Sequence, residues 1–357
     1  MIFTAVPLDT AIFLRHTVYV HDLAKAGVER SDFPLPKFTF SAVTTSQLAT
    51  ICGVSQGTVD RALHNRAGIS PNTRARVLAA AERYGYVPNI HAQALSGGRT
   101  MLLGVVVPDL NNDYFSQLIM ELEQQCRAAA YSSVLMFSHK NPEAEIDCLK
   151  RLAQMGVDGI VLFPIGQGED YVSFLRSLRI PVVAVGNRLN GIPFAGINDR
   201  AAMQAVTAQL LRKGYEQLVY YAPALAKQKG KNNNAQALRY RGFTETAAAA
   251  GVPTTLLTDA NTLQADLTAL CQPAVRTAVV CPSDVYALRA RAVLADMHRD
   301  DIGLSGFDDS RLLTKCRIAL SSVGTDYSAL AKAAIACVLH NIAPTEIPFY
   351  LADRGSF

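Results

Sequence analysis

The sequence has no long apolar run of the kind that crosses a membrane. Its 357 residues contain no charge-free apolar stretch of the roughly 18 residues that span a bilayer. The first residues also have neither the basic start nor the small-residue cleavage site of a secretory signal peptide. We therefore expect a cytoplasmic protein without a membrane partner.

The cysteines show no arrangement that suggests bridging or metal binding. There are seven, an odd number, and no two of them form a C-x-x-C pair. They are Cys52, Cys126, Cys148, Cys271, Cys281, Cys316 and Cys337. This pattern argues against a disulfide framework and a zinc site, so we expect core cysteines, no metal and no cofactor.

Catalytic motifs are also missing. The sequence contains no H-E-x-x-H, G-x-S-x-G or G-x-x-x-x-G-K-[ST] motif, and its seven histidines do not cluster. After the first strand candidate, where a dinucleotide-binding protein carries G-x-G-x-x-G, residues 108–115 read PDLNNDYF. We expect the protein not to be an enzyme.

Positive charge is concentrated in one segment. The whole chain has a formal net charge of +4. Between Thr44 and Thr100 there are six arginines but only two acidic residues, Asp60 and Glu82, so this segment carries the whole excess. A basic small domain beside a nearly neutral large one favours a nucleic-acid partner, although a solvated helical face fits the charge equally well.

The chain divides into four regions by pattern. Residues 1–43 have no sustained periodicity, 44–87 read as short helices, 88–100 as a linker, and 101–357 as alternating strands and helices. Strand candidates are Leu102–Val107, Val134–Phe137, Gly159–Phe163, Pro181–Val185, Leu218–Tyr221, Ala278–Cys281 and Ile302–Phe307. Helix candidates between them are Phe115–Ala130, Glu143–Met155, Arg200–Lys213, Ala235–Ala250 and Val285–Met297. Such alternation predicts two parallel sheets covered on both faces.

The first helical region fits a helix-turn-helix. In TSQLATICGVSQGTVDRALH, which starts at Thr45, Ala49 is small where two helices cross and Gly53 occupies the tight turn. Ser55 is a natural N-cap for the second helix, and Ser70 opens a third. The residues predicted to face outward are Gln56, Gly57, Asp60, Arg61 and His64. By spacing alone, an ordinary helical hairpin remains the alternative.

The motifs of this region resemble a known family. The strings TSQLATICGVSQGTVDRALHNRAGISPNTRARVLAAAERYGYVPN (45–89) and AQALSGGR (92–99) are similar to the DNA-binding head and hinge of the LacI family of bacterial transcription regulators. The resemblance continues from Thr44 to the last residue. It implies an all-α helix-turn-helix head and an α/β core of two Rossmann-like lobes, similar to periplasmic sugar-binding proteins.

The resemblance also implies a function. Proteins of this kind bind a double-stranded DNA operator as homodimers, mostly as repressors, and a sugar-like effector in the core controls the affinity. We expect this function here, together with a location on the nucleoid. A periplasmic-type sugar-binding protein without a regulatory role is the alternative, although it would need no basic head.

The resemblance assigns DNA contacts residue by residue. Gln56, Gly57 and Arg61 match positions that address base edges in the major groove, and Leu95 of the hinge helix (89–98) matches a leucine that enters the minor groove. The positions that match phosphate contacts are Thr58, Asn65, Ser70 and Thr73. Gly57 and Asp60 depart from the commoner longer polar and small hydroxyl side chains, so the operator sequence cannot be deduced.

Effector contacts are assigned in the same way. The matching positions are Asn112, Tyr114, Phe115, Asn187, Arg239, Ser283, Asp284, Asp308 and, in the third crossover between the lobes, Thr325. After the fourth strand relatives often carry aspartate, and here Gly186 or Asn187 fills that position. Carboxylates, a guanidinium and an aromatic face suit a polyol, whereas a surface salt bridge or helix cap is the alternative for Arg239 and Asp308.

Two segments fall outside this scheme. The run KQKGKNNN (227–234) is basic and polar, so an acidic or phosphorylated sugar is an alternative to a neutral hexose, unless the run is only a solvated loop. Residues 1–43 precede the resemblance. We expect them to be either a poorly structured arm or upstream sequence before a native start at Val43.

Overall fold

The computed structural model describes residues 43–86, 98–226, 230–344 and 346–357. The chain consists of an N-terminal unit, the head, and a core unit, with the division after Asn89. This division falls inside the predicted linker. Leu95 and nearly all of the predicted hinge helix lie outside the described residues, as does almost the whole predicted N-terminal extension. Among the helices that are described, none is long and apolar enough to cross a membrane.

Three short helices form the described part of the head. They are α1 (Thr45–Cys52), α2 (Gln56–Leu63) and α3 (Pro71–Arg83). Their buried residues are Leu48, Ala49, Cys52, Val59, Ala62, Val77 and Ala81. Each helix contributes to one small apolar core, so the three stabilise one another and confirm the predicted helix-turn-helix.

Local sequence explains where these helices begin and turn. Thr44, Ser55 and Ser70 are N-caps whose side-chain oxygens accept backbone N–H groups of the first turn. α1 ends at Gly53, which has φ 60°. In this left-handed region glycine is favoured because it has no Cβ, so the turn between α1 and α2 depends on Gly53.

The first lobe of the core unit contains a five-stranded parallel sheet in the order β2-β1-β3-β4-β5. The strands are β1 (Leu102–Val107), β2 (Ser132–Phe137), β3 (Gly159–Leu162), β4 (Val182–Val185) and β5 (Phe194–Ala195). The connecting helices are α4 (Asp113–Ala128), α5 (Pro142–Gln154) and α6 (Glu169–Ser177). β3 and β4 are buried along their whole length, as expected for parallel strands with both faces covered.

The second lobe contains a four-stranded parallel sheet in the order β7-β6-β8-β9 and a two-stranded antiparallel sheet, β10-β11. The strands are β6 (Gln217–Tyr221), β7 (Thr254–Leu257), β8 (Thr277–Val280), β9 (Gly303–Ser305), β10 (Ser322–Thr325) and β11 (Phe349–Ala352). The helices are α7 (Asp199–Arg212), α8 (Pro223–Ala226), α9 (Asn234–Ala249), α10 (Leu263–Leu270), α11 (Asp284–Asp296) and α12 (Arg311–Lys315). A bridge between Ser305 and Ser321 joins the two sheets.

The described chain passes between the lobes after β5, after β10 and after the last helix, α13 (Tyr327–His340). α13 packs on α4, β3, β4 and β5 of the first lobe, whereas β10 and β11 on either side of it pair in the second lobe. Thr325, the last residue of β10, therefore lies at the second crossing and not at the third, because the chain returns once more to form β11.

Element bounds follow the sequence pattern closely, with identifiable exceptions. The expected core helices begin one or two residues earlier in the structure, since residues such as Asp199 and Asp284 already belong to the first turn of α7 and α11. The pattern does not mark β5, β7, β10 and β11, because these strands have only two to four residues and include polar or exposed positions. α13 is so apolar that it shows little helical periodicity.

Candidate functional site

The exposed face of α2 carries the side chains predicted to address DNA bases. Gln56, Gly57 and Arg61 are exposed, whereas Val59 and Ala62 on the same helix are buried in the core of the head. A helix that is fixed on one side can present the other side to a groove. A Cβ atom added at Gly57 would meet only Ser55 Oγ, at 3.9 Å, so the exposed face has open space at this position.

Two pairs of hydroxyl groups lie at helix N-termini of the head. Ser55 Oγ lies 2.9 Å from Thr58 Oγ1 at the start of α2, and Ser70 Oγ lies 2.9 Å from Thr73 Oγ1 at the start of α3. In each pair the serine also accepts the backbone N–H of the threonine. Hydroxyl groups and helix N-termini are common phosphate contacts, so the geometry suits the role expected for Thr58, Ser70 and Thr73.

Asp60 acts inside the head. Its carboxylate accepts a hydrogen bond from the Arg66 guanidinium at 2.9 Å and lies 2.9 Å from His64 Nδ1. These contacts connect α2 with the loop before α3, in which the exposed Asn65 has φ 54°. The Asp60 carboxylate therefore holds the loop before α3 against α2.

In the core unit, a cavity lies between the lobes at the carboxyl ends of the strands. Its lining residues are Tyr114, Gly186, Phe194, Gly196, Ile197, Asp199, Arg239, Phe307, Asp308, Val323, Gly324, Thr325, Tyr327 and Leu330. This is the edge at which open α/β sheets bind ligands. We name it the inner cavity. Four of the nine predicted effector contacts line it: Tyr114, Arg239, Asp308 and Thr325.

Arg239 lies at the centre of a buried charge cluster. Its Nε donates to Asp199 Oδ1 at 2.8 Å, and its guanidinium lies 3.6 Å from Asp308 Oδ1. The guanidinium also donates to the carbonyl oxygen of Pro282 at 2.6 Å and stacks 3.6 Å from the centre of the Phe307 ring. Burial by itself would lower the pKa of Arg239, but the Asp199 and Asp308 carboxylates raise it. Arg239 is therefore a fixed cation between two carboxylates.

Close packing of α7 against α9 brings this cluster together. Gly242 lies three residues after Arg239 on α9, and a Cβ atom there would lie 2.4 Å from the carbonyl oxygen of Arg200 on α7. Only glycine permits this approach of the two helices. Asp199, the first residue of α7, thereby meets Arg239 although 40 positions separate them in sequence.

Asp308 has a strained backbone and a shifted pKa. Its φ is 104°, in a region that residues other than glycine rarely adopt. The Asp308 N–H donates to Val323 O at 2.8 Å and the Tyr327 hydroxyl donates to Asp308 O at 2.6 Å, which holds this conformation. Burial raises the pKa of Asp308 to about 6, although Arg239 and the amide of Asn112 favour the ionised form. Strain that is held in this way is typical of binding sites.

Asn112 and Phe115 support the inner cavity without lining it. The Asn112 side chain accepts the Tyr114 N–H at 3.1 Å and donates to Asp308 Oδ2 at 3.0 Å, so one amide caps α4 and links the two lobes. Phe115 packs edge-on against Phe163 and against Tyr114, with ring centres 5.6 Å and 5.3 Å apart. Both residues thereby orient Tyr114.

Ser283 and Asp284 lie behind the wall of the inner cavity, not in its lining. The Asp284 carboxylate accepts the Ser310 N–H at 2.7 Å and the Ser322 hydroxyl at 2.6 Å, so it joins the starts of α11, α12 and β10 in the second lobe. Burial raises the pKa of Asp284 to about 7, and the Asp308 carboxylate adds to the rise. Asp284 therefore has a structural position, because it bonds other parts of the second lobe and does not line the inner cavity.

Asn187 lies in a seam between the lobes. Its amide donates to the carbonyl oxygens of Pro164 at 3.3 Å and Asn232 at 3.1 Å, and it accepts the Ala235 N–H at 3.0 Å. Gly186, the other candidate for this position, lines the inner cavity. The amide of Asn187 therefore holds the lobes together next to the cavity.

A second seam joins α4 of the first lobe to α12 of the second. The Arg311 N–H donates to Asp113 Oδ2 at 3.0 Å, and its guanidinium donates to Gln117 Oε1 at 3.1 Å and lies 3.7 Å from Glu121. Asp113, Gln117 and Glu121 are spaced four residues apart and so follow one face of α4. Two sets of polar contacts therefore join the lobes.

Several lining residues carry no sequence signal. Asp199 looks like any acidic residue in the first turn of a helix, where it is favourable for the helix dipole. Phe194, Phe307 and Tyr327 are aromatic residues at the ends of elements and resemble core residues. Among the described residues, no group of histidine, cysteine, aspartate and glutamate could hold a metal ion.

Family models match both units. A model of periplasmic binding proteins and the sugar-binding domain of the LacI family matches residues 100–305, and a model of bacterial regulatory proteins of the lacI family matches residues 46–89. The first match alone covers more than half of the chain. The second covers most of the head.

Known proteins show the same similarity. Catabolite control protein A of Priestia megaterium is 27% identical over 297 residues, 79% of this chain and 87% of that protein. The HTH-type transcriptional regulator DegA of Bacillus subtilis is 25% identical over 294 residues, 78% of this chain and 86% of that protein. A crystal structure of the lac repressor dimer bound to operator and the anti-inducer ONPF aligns with a TM-score of 0.75 at 19% identity, covering 88% of this chain and 98% of that one. The last match supports the fold.

Proposed function

This chain belongs to the LacI family of bacterial regulatory proteins and is therefore a DNA-binding transcriptional regulator, and we propose a role for each of its two units. The head reads an operator, and a small polyol in the inner cavity controls the affinity. The proposal gives the protein a regulatory and not an enzymatic role, on chromosomal DNA in the cytoplasm. A periplasmic-type binding protein would leave the basic three-helix head without a purpose.

In the head, α2 enters the major groove. Gln56 and Arg61 address base edges, and Gly57 leaves room between them. The hydroxyl pairs Ser55–Thr58 and Ser70–Thr73, with Asn65 and the first turns of α2 and α3, contact phosphates, which fixes the register without reading sequence. Leu95 enters the minor groove at the centre of the operator.

In the core, the effector is a carbohydrate or a similar polyol. The observation that carries this proposal is the buried set of Asp199, Asp308 and Arg239 beside aromatic rings. Carboxylates accept hydrogen bonds from adjacent hydroxyl groups, a guanidinium donates to ring oxygens, and aromatic faces pack on C–H groups. Two carboxylates against one cation make an anionic group unfavourable in this cavity.

Effector binding is coupled to the distance between the lobes. The aromatic rings and Arg239 leave a free volume of only about 20 Å³ in the inner cavity, room for about one water molecule. A sugar therefore requires the lobes to move apart at the two seams, and the altered spacing changes how two heads of a homodimer meet an operator. Release of repression by the effector is the expected direction.

Selection of duplexes from a random pool, followed by binding measurements, tests the DNA-reading role. The wild-type protein selects a pseudo-palindromic sequence, with two half-sites related by the dimer axis. R61Q loses about 10- to 100-fold in affinity for that sequence, because a bidentate base contact contributes about 1–3 kcal/mol of discrimination. R83Q removes the same charge from the exposed end of α3 and keeps the discrimination between the selected and a scrambled duplex. Equal discrimination in R61Q and the wild-type protein would contradict the role of α2.

A further inference from the structure

A second cavity next to the inner cavity has no role in the proposed function. It is a groove of about 610 Å³ between α6 and the loop after β4 in the first lobe and the start of α9 in the second. We name it the outer groove. Its volume lies within the range of about 300–1,000 Å³ that is usual for small-molecule sites. Two stacked side chains lie between the cavities, since Arg188 of the outer groove lies 3.9 Å from the ring centre of Phe194 of the inner cavity.

The outer groove has an excess of positive charge. Among the described residues that line it, two are arginines, Arg176 and Arg188, and one is a carboxylate, Glu169. Within the described part of the chain, Arg176 has no carboxylate partner, and its guanidinium contacts only the Gly191 carbonyl oxygen at 3.4 Å. Arg188 lies 3.5 Å from Glu346, and both side chains are more than 40% exposed, so water screens this pair. Both guanidinium groups are therefore available to a ligand.

Two helices start at the outer groove. α6 follows Gly168, which supplies no side-chain cap, and α9 follows Asn233. Helix N-termini carry a partial positive charge and favour anions, and here one comes from each lobe. Asn234 lines the same groove, and its buried Oδ1 has no hydrogen-bond partner among the described residues.

We propose that the outer groove binds the phosphate group of a phosphorylated polyol, with Arg176 and Arg188 as its cationic contacts. Guanidinium groups match phosphate oxygens in pairs. The inner cavity has the opposite charge balance, with Asp199 and Asp308 around one arginine. One sugar phosphate would reach both sites, with its ring in the inner cavity and its phosphate in the outer groove, when the lobes move apart and the Arg188–Phe194 contact opens. This proposal rests on the effector role of the core.

Inorganic phosphate is the probe for the outer groove. Calorimetry and thermal unfolding of the full chain are compared with and without phosphate at constant ionic strength. The wild-type protein binds phosphate and melts at a higher temperature in its presence, because a ligand that binds only the folded state stabilises it. R176Q and R188Q each weaken binding at least fivefold. R179Q, which removes an exposed arginine just beyond α6 and outside the groove, binds like the wild-type protein.

Two results would overturn the proposal. One is no phosphate binding to the wild-type chain, and the other is equal binding by R176Q and R179Q. If R188Q does not fold because the contact with Phe194 is lost, the comparison of R176Q with R179Q decides. The phosphate assays contain no DNA. A negative result in them therefore does not count against operator binding, and a failure to bind an operator does not count against the phosphate site.

A comparison of phosphate with a hexose 6-phosphate and the parent hexose identifies the source of the phosphate. If the hexose phosphate binds at least tenfold more tightly than phosphate and D308N removes this gain, both sites hold one ligand. Equal affinity for phosphate and hexose phosphate supports the site as one for free phosphate, separate from the effector.

Discussion

Asp284 and Asp308 are buried carboxyl groups whose pKa values are raised in the folded core. An ionised carboxylate that is removed from water loses hydration, and hydrogen bonds restore only part of it. The effect on stability follows from the direction of the shift. Because the pKa of Asp284 rises from 3.8 to about 7 on folding, the folded state holds its proton more tightly than the unfolded state. The contribution of Asp284 to stability therefore falls as pH rises from about 4 to about 7.

D284N is expected to remove this pH dependence. Asparagine can still accept the Ser310 N–H and can donate to the Ser322 hydroxyl, so both contacts of Asp284 survive. The free energy of unfolding of D284N relative to the wild-type protein should be higher at pH 8 than at pH 5, by on the order of 2–4 kcal/mol. Chemical unfolding at the two pH values measures the difference.

The control is D296N, at the exposed end of the same helix, α11. It should show no such difference between the two pH values. A D284N effect of equal size at pH 5 and pH 8 would mean that ionisation of Asp284 has no energetic consequence.

At the scale of elements, residues that are close in sequence determine where the helices of the head begin and end. N-caps, a left-handed glycine and apolar spacing all lie within 44–86, so each helix end is specified by residues next to it. The two glycines of the helix-turn-helix differ in their reasons. At Gly53 a Cβ would meet nothing within 4 Å, so a steric clash is not the reason for glycine; the reason is its φ of 60°. Gly57 lies in ordinary helix.

Alanine substitutions should separate these two reasons. G53A is expected to destabilise the head by about 1–2 kcal/mol, the cost of the left-handed conformation for a residue with a Cβ. G57A should stabilise it by about 0.5–1 kcal/mol, the difference in helix propensity. Hydrogen exchange of amides in α1, α2 and α3 of the full chain, read by mass spectrometry, measures both changes. Slower exchange in G53A than in the wild-type head would contradict the role of φ.

At the scale of the whole molecule, the two lobes of the core are coupled through polar contacts that water can replace. One apolar core contains strand residues of both lobes, such as Val105 of β1 and Val280 of β8, whereas the seams depend on side-chain amides and on Arg311. Contacts of this kind contribute little net free energy, so they can open without unfolding either sheet. This is the property that an effector-controlled cleft needs.

R311Q is expected to loosen the seam between α4 and α12. The guanidinium contacts with Gln117 and Glu121 are lost, so amides at the start of both helices should exchange several times faster, while the strands β1 and β8 keep their protection. R291Q, an exposed arginine on α11, serves as the matched control. Hydrogen exchange of the full chain gives the result. Unchanged exchange in R311Q would show that the apolar contacts alone hold the lobes together.

The sequence by itself determined the head and the kind of core. Capping, turn geometry and strand–helix alternation act between residues that are close in the chain, so they specify the three helices and the parallel sheets without any knowledge of the rest. It also pointed to Tyr114, Arg239, Asp308 and Thr325, whose place in the cavity lining the structure now gives.

Only the tertiary structure decided how the site is assembled. Asp199 meets Arg239 because Gly242 lets α9 pack against α7, and Asp284 bonds Ser310 and Ser322 outside the cavity lining. The outer groove likewise arises where two lobes adjoin. Each of these features depends on residues far apart in sequence, and their distances are set by the packing of whole elements. No local pattern encodes such distances.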